Sequence, residues 1–293
     1  MNEINTIDSF KRAVIKGLFT DDDLMEIFVL KGGNAIEFFY LEGDRSSFDI
    51  DISISKDFTA EELEKLKVTL ERNIKQEFKS LGYTIFDFSL VPKPNRVKPN
   101  SKYFWGGYFI EFKVISLEKF QKAMNYDEIR RNSEKIKPNH SPKLTVDISK
   151  FEYIDIKEKK ELDGLTVYVY PIHLIIIEKL RAICQQNAKY SKIIDSHTRR
   201  PRPRDFYDIY KLKSKFNFEF NDESFEILKQ VFIIKEVPLS YLLELSIDRD
   251  FHESDYTSLK DSINRKSELQ EFNFYFNFVL DMVQPLSERI IST

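Results

Sequence analysis

Residues 48 to 55 alternate without a break. Phe48, Ile50, Ile52 and Ile54 fall on one side, and Asp49, Asp51, Ser53 and Ser55 on the other. Successive side chains of a strand point to opposite faces, so this period of two predicts a half-buried strand with one apolar and one polar face. Two carboxylates at i and i+2 then project from the same face about 7 Å apart by strand rise, where they repel unless a divalent cation draws them together. Just upstream, Lys31-Gly32-Gly33 turns the chain, a notable use of two of only 8 glycines in 293 residues. Backbone N–H groups without Cβ atoms beside them can approach phosphate oxygens closely, and the helix expected to follow aims its N-terminus at them. A phosphate-cradling turn followed by a strand with metal ligands describes a nucleotide site.

Composition narrows the alternatives. The formal net charge of −3 excludes a global basic field, so a polyanion site must be local. The lone cysteine, Cys184, excludes an intrachain disulfide and a cysteine-based zinc site. The opening residues lack the apolar core of a signal peptide, and no run approaches a membrane span, so a soluble, cytoplasmic protein without membrane contact is expected.

The pattern along the chain predicts a mixed α/β lobe and then a helical one. Helices are expected over 6–18, from 21–23 onward, over 35–41 and, from the capping box at Thr59-Ala60-Glu61-Glu62, to about Ser80. Strands are expected over 27–30, 48–55, 83–91, 108–115, 143–148 and 166–170, with a helix over 117–131 and a proline-broken loop over 92–102. Beyond Pro171 the segments 171–190, 204–215, 222–234, 238–245 and 265–291 all suit helices. Two domains follow, 1–170 and 171–293.

Arg45, Ser47, Asp49 and Asp51 form R-x-S-x-D-x-D, much rarer than either Gly-Gly or Asp-x-Asp alone. Together with Leu30-Lys31-Gly32-Gly33-Asn34-Ala35-Ile36, this segment resembles the first motif of the AbiEii/AbiGii and MenT nucleotidyltransferase toxins, within the DNA polymerase β-like superfamily. Asn34 replaces the family's threonine; an amide can still hydrogen-bond a phosphate or cap the helix. The resemblance implies a polymerase β-like mixed sheet with a C-terminal helical lobe. Asp49 and Asp51 would hold Mg2+ or Mn2+, while Lys31, Gly32, Gly33, Asn34, Arg45 and Ser47 would shape the nucleotide pocket.

Such chemistry adds a third carboxylate from a neighbouring strand, and two candidates stand in apolar, strand-like settings: Glu111 and Asp147. Asp147 is closer to the family pattern. Lys179 falls on or beside the apolar stripe Ile172, Ile175, Ile176, Leu180 and Ile183, where snorkelling or a salt bridge would suffice to explain it. Glu178-Lys179-Leu180-Arg181-Ala182 resembles the family's E-K-L-x-A, which implies instead that Lys179 holds a triphosphate.

Arg200-x-x-x-Arg204-Asp205-x-x-Asp208 resembles the family's R-x-x-x-R-D-x-x-D, implying an active-site aspartate supplied from the second domain, with Asp208 ahead of Asp205. An Arg204–Asp208 pair at i, i+4 is the local alternative. Arg199, Arg200, Arg202 and Arg204 form the strongest local positive patch, suited to RNA phosphates or to a solvated loop.

The activity implied is transfer of a nucleoside monophosphate from an NTP to an acceptor hydroxyl, the tRNA 3′ end in the resembled family, by a toxin with a cognate antitoxin. Nucleotidylation of a protein or small molecule, and a non-catalytic nucleotide- or partner-binding module, are the competing readings.

Overall fold

The computed structural model describes residues 3–43, 47–95, 102–136, 140–263 and 268–292. The chain groups into two compact units. One comprises Met1–Ala35, Ser47–Pro99 and Gly106–Tyr170, the other Ile36–Ser46, Asn100–Trp105 and Pro171–Thr293.

The first unit is built on a seven-stranded mixed sheet. In chain order its strands are β1 (Val29–Lys31), β2 (Ile50–Ser53), β3 (Tyr83–Lys93), β4 (Gly107–Ser116), β5 (Lys143–Ser149), β6 (Glu158–Leu162) and β7 (Leu165–Val169). Their spatial order is β3-β4-β5-β2-β1-β7-β6. The pairs β2/β5 and β1/β7 run parallel and the other neighbours antiparallel. Helix α1 (Glu3–Phe19) is followed by α2 (Asp22–Ile27), whose N-terminal Leu24 N–H is capped by the Asp21 carboxylate at 3.2 Å. Helix α3 (Gly32–Phe39) follows β1 with no intervening loop.

Helix α4 (Ala60–Ser80) begins at the expected capping box. Glu62 N–H donates to Thr59 Oγ1 at 3.2 Å while the Glu62 carboxylate accepts from Thr59 N–H at 2.7 Å. Leu66, Leu70, Ile74 and Phe78, each four residues from the next, form its buried stripe, as Phe10, Val14 and Leu18 do on α1. The two helices approach so closely that a β-carbon on Gly17 would lie 2.8 Å from Ile74 Cα. The apolar side of β2 meets this expectation too: Ile50, Ile52 and Ile54 are all at 0 % exposure.

Several expectations are corrected. Ser53, read as a polar-face residue, is fully buried and its hydroxyl accepts from Tyr170 Oη at 2.7 Å. The helix expected over 117–131 is two short ones, α5 (Leu117–Lys122) and α6 (Tyr126–Arg131), because the Asn125 side chain caps Glu128 N–H at 3.0 Å and restarts the helix. Strand β6 was not anticipated: Glu-Lys-Lys-Glu-Leu is an edge strand whose charged side chains conceal its period. Asp163 and Gly164, at φ +51° and +83°, make the two-residue hairpin turn that joins it to β7. Of the loop expected over 92–102, residues 96–101 lie outside the described residues, and 92–93 continue β3.

The second unit is helical. Pro171 precedes α7 (Ile172–Cys184), which packs against α8 (Pro203–Phe216) and α9 (Asp222–Ile234). Helices α10 (Arg249–Glu253), α11 (Tyr256–Ser262), α12 (Phe272–Val283) and α13 (Ser287–Ile291) complete it; α11 and α12 lie against α8. The single helix expected over 265–291 is thus divided, with a 3-10 turn over Gln284–Leu286 that contains Pro285.

Candidate active site

Directly opposed residues on paired strands point to the same face of a sheet. Asp51 on β2 is opposed on one side by Asp147 of β5 and on the other by Lys31 of β1. Asp49, two residues before Asp51, is exposed, and its Oδ1 accepts from Thr145 Oγ1 at 2.7 Å. Three acids from two strands therefore share one face. Glu111 shares it as well, but the register sets Glu111 opposite Thr145, one strand farther from Asp51, and an ion pair with Lys143 at 2.8 Å occupies its carboxylate.

The diglycine turn is shaped around this face. Gly32 has φ +67°, which a side chain would resist, and a β-carbon there would sit 2.4 Å from Asp51 Oδ2. Glycine is required here by the approach of the aspartate itself. Asn34 is wholly buried, and its Nδ2 donates to the Asp49 carbonyl at 2.6 Å, with Oδ1 left unpartnered. The amide expected to face a phosphate braces the backbone of Asp49 instead. Ser47 Oγ reaches the same carbonyl at 3.4 Å. Lys31 pairs with the buried Glu152 at 3.5 Å. Arg45 lies outside the described residues.

The second unit holds a different charged cluster. Lys179 Nζ lies 2.7 Å from Asp205 Oδ1 and 2.7 Å from Asp208 Oδ2, with Lys179 and Asp205 side chains at 10 % and 13 % exposure and Asp208 at 1 %. Burying an ammonium demands such partners. Arg202 Nη1 stands 3.6 Å from Asp205 Oδ2, an ion pair beyond hydrogen-bond reach. In place of the Arg204–Asp208 pair that was the local alternative, Asp208 turns inward to Lys179, and Arg204 donates outward to the Ser258 carbonyl at 3.2 Å.

The arginine patch is partly committed to the fold. Arg199 bonds the Gln186 carbonyl and Asp248 and lies 4.0 Å over the Phe251 ring. Arg200 is exposed, anchored through its backbone N–H to Gln186 Oε1 at 2.7 Å. The backbone N–H of Arg202 donates to His252 Nδ1 at 3.1 Å. Burial pushes this imidazole down to about 4, with Arg199 and Arg202 acting the same way against the opposing pull of Asp205.

The family model described as nucleotidyl transferase AbiEii toxin, type IV toxin–antitoxin system, matches residues 14–278. The chain belongs to this family. Two solved structures from Helicobacter pylori share its fold. One is described as a nucleotidyltransferase, with a TM-score of 0.52 at 18 % identity, covering 100 % of this chain and 98 % of that one. The other, JHP933, has a TM-score of 0.51 at 18 % identity and the same coverage, 100 % and 98 %. No curated protein matches.

For an AbiEii nucleotidyltransferase the expected cradle of Asp49, Asp51 and Asp147 is only partly assembled. Among the described residues, no three His, Cys, Asp or Glu side chains are gathered closely enough to hold a metal ion. The physical reason is that two of the acids are turned aside, Asp49 to the Thr145 hydroxyl and Asp147 to the ammonium of Lys93. The donor set still fits a hard divalent cation, since it offers carboxylate oxygens only, and a cation already pairs with Asp147. Thr145 and Lys93 were missed from the sequence. Thr145 could have been found as the same-face neighbour of Asp147 at i−2; Lys93 carried no signal.

Proposed function

We propose that this AbiEii-family chain transfers a nucleoside monophosphate from an NTP to an acceptor hydroxyl, the 3′ end of tRNA, in a reaction that requires Mg2+ or Mn2+ and underlies its toxicity. The observation that carries the reading is the register of β2 and β5, which brings Asp147 beside Asp51 on the face that also bears Asp49. Those three carboxylates would hold the cation, which when bound neutralises phosphate charge and makes the acceptor hydroxyl more acidic.

The remaining work falls to the chain itself. Asn34 and Ser47 hold the backbone of Asp49 in place through its carbonyl. Gly32 admits the Asp51 carboxylate to the start of α3, whose N-terminal N–H groups suit an anionic phosphate. The acceptor oxygen bonds to the α-phosphorus as the bond to the β-phosphate oxygen breaks. Pyrophosphate leaves, and the hydroxyl proton passes to Asp147. We assign to the exposed Arg200 a contact with acceptor phosphate. A cognate antitoxin is the expected protein partner.

Incubation with each α-labelled NTP, Mg2+ and total tRNA tests the proposal. Labelled RNA is expected with at least one nucleotide; no labelled RNA with any of the four overturns it, and label on protein instead would reassign the acceptor. Expression of the Asp49→Ala variant should leave growth unaffected where the wild type arrests it.

A further inference from the structure

Asp51 and Asp147 stand side by side on adjacent parallel strands, an arrangement that like charges oppose. The structure meets that repulsion with a residue from two strands away. Lys93 closes β3 at one sheet edge, and its side chain passes over the Phe109 ring, Nζ 5.1 Å from the centroid, to pair with Asp147 Oδ2. Phe109 is the β4 residue directly opposite Asp147, so the lysine crosses an intervening strand to reach the carboxylate. The pair is not locked: its side chains are 53 % and 34 % exposed, and ion pairs this open to water contribute little.

We propose that Lys93 is a tethered counter-cation that occupies the third carboxylate of the metal site and is exchanged for the divalent ion, thereby setting the cation concentration at which the site fills. The inference rests on the transferase reading of Asp49, Asp51 and Asp147. A monovalent ammonium on a flexible four-carbon stem can hold Asp147 while the divalent ion is absent, yet yields to a doubly charged competitor that engages all three acids. When the pair is closed, Asp147 is unavailable, and apparent affinity falls by the fraction of time it is open. A pair closed about two-thirds of the time weakens binding about threefold.

Titration of the full chain with Mn2+ in the absence of NTP, reading the free ion by electron paramagnetic resonance, tests this apart from catalysis. Lys93→Met should bind Mn2+ roughly two- to sixfold more tightly than wild type. Lys93→Arg, which keeps the charge, should stay near wild type. Lys143→Met, which frees Glu111 instead, should not differ from wild type, and Asp51→Asn should bind far more weakly.

Unchanged or weaker binding by Lys93→Met, with Asp51→Asn still impaired, overturns the role of Lys93 and leaves the metal site standing. Tightening by Lys143→Met in place of Lys93→Met also overturns it, moving the third carboxylate to Glu111. Mn2+ binding that ignores Asp51→Asn removes the metal site and this inference with it.

Discussion

Two clusters of charge in this molecule are built on opposite principles. On the sheet face, Asp49, Asp51 and Asp147 are exposed or half-buried, and Asp147 pairs with a lysine that is itself 53 % exposed. In the helical unit, Lys179 of α7 pairs with Asp205 and Asp208 of α8, none of the three side chains above 13 % exposure. An open cluster can exchange partners at small cost, because water screens its charges before and after exchange. A closed one cannot, because removing a single partner leaves an uncompensated charge in a medium that solvates it poorly. Substitution should therefore disturb chemistry in the first cluster and folding in the second.

The sharpest break of that contrast would come from Lys179→Met, which takes the ammonium from between the Asp205 and Asp208 carboxylates at 13 % and 1 % exposure. A loss of about 3–5 kcal/mol is expected, read from the urea midpoint. A loss below about 1 kcal/mol would mean that the helical cluster is as exchangeable as the sheet face.

Asp49→Asn is the complementary case. Nucleotide transfer should fall by roughly 100-fold or more while unfolding free energy stays within about 1 kcal/mol of wild type, measured on the same preparation. Equal damage to both would mark Asp49 as structural.

A pH titration sharpens the comparison from the helical side. Folding lowers the pKa of His252 from its ordinary 6.5 to about 4, so between those values the unfolded chain binds a proton that the folded chain refuses. The histidine's contribution is fully present above pH 6.5 and is lost as pH falls through about 4, by at most about 3 kcal/mol. Comparing wild type with His252→Gln at pH 7 and pH 4.5 measures it; identical pH slopes would exclude burial of His252 as the cause.

A smaller stability effect than that of the buried cluster or of His252 is expected for Gly32→Ala. The left-handed backbone conformation costs an alanine about 1–2 kcal/mol. The added carbon must also displace Asp51, so transfer activity should drop further than stability does. Activity tracking stability alone would show that the approach of Asp51 to this turn has no functional weight.

What was legible in the sequence was local. The alternation over 48–55 exposed β2 because the strand is apolar on one side only, and the capping box at Thr59 fixed the start of α4 because its hydrogen bonds span three residues. The carboxylate pair was legible for the same reason. Strand β6 was hidden by its charged residues, although the Asp163-Gly164 turn beside it was a signal in plain view. Nothing in the segment around Asn34 signalled that its amide turns to the Asp49 carbonyl fifteen residues on.

By itself the sequence determined which segments could be strands or helices, and that two aspartates two apart on a strand must share a face, since backbone geometry and short-range hydrogen bonds settle those matters. Only the tertiary structure decided which third acid stands beside them, that Thr145 and Lys93 engage the acids, and that Lys179 is enclosed by Asp205 and Asp208. Those choices depend on strand register across 96 residues and on helix packing across 26, contacts selected by the collective burial of a core and written in no single segment of the chain.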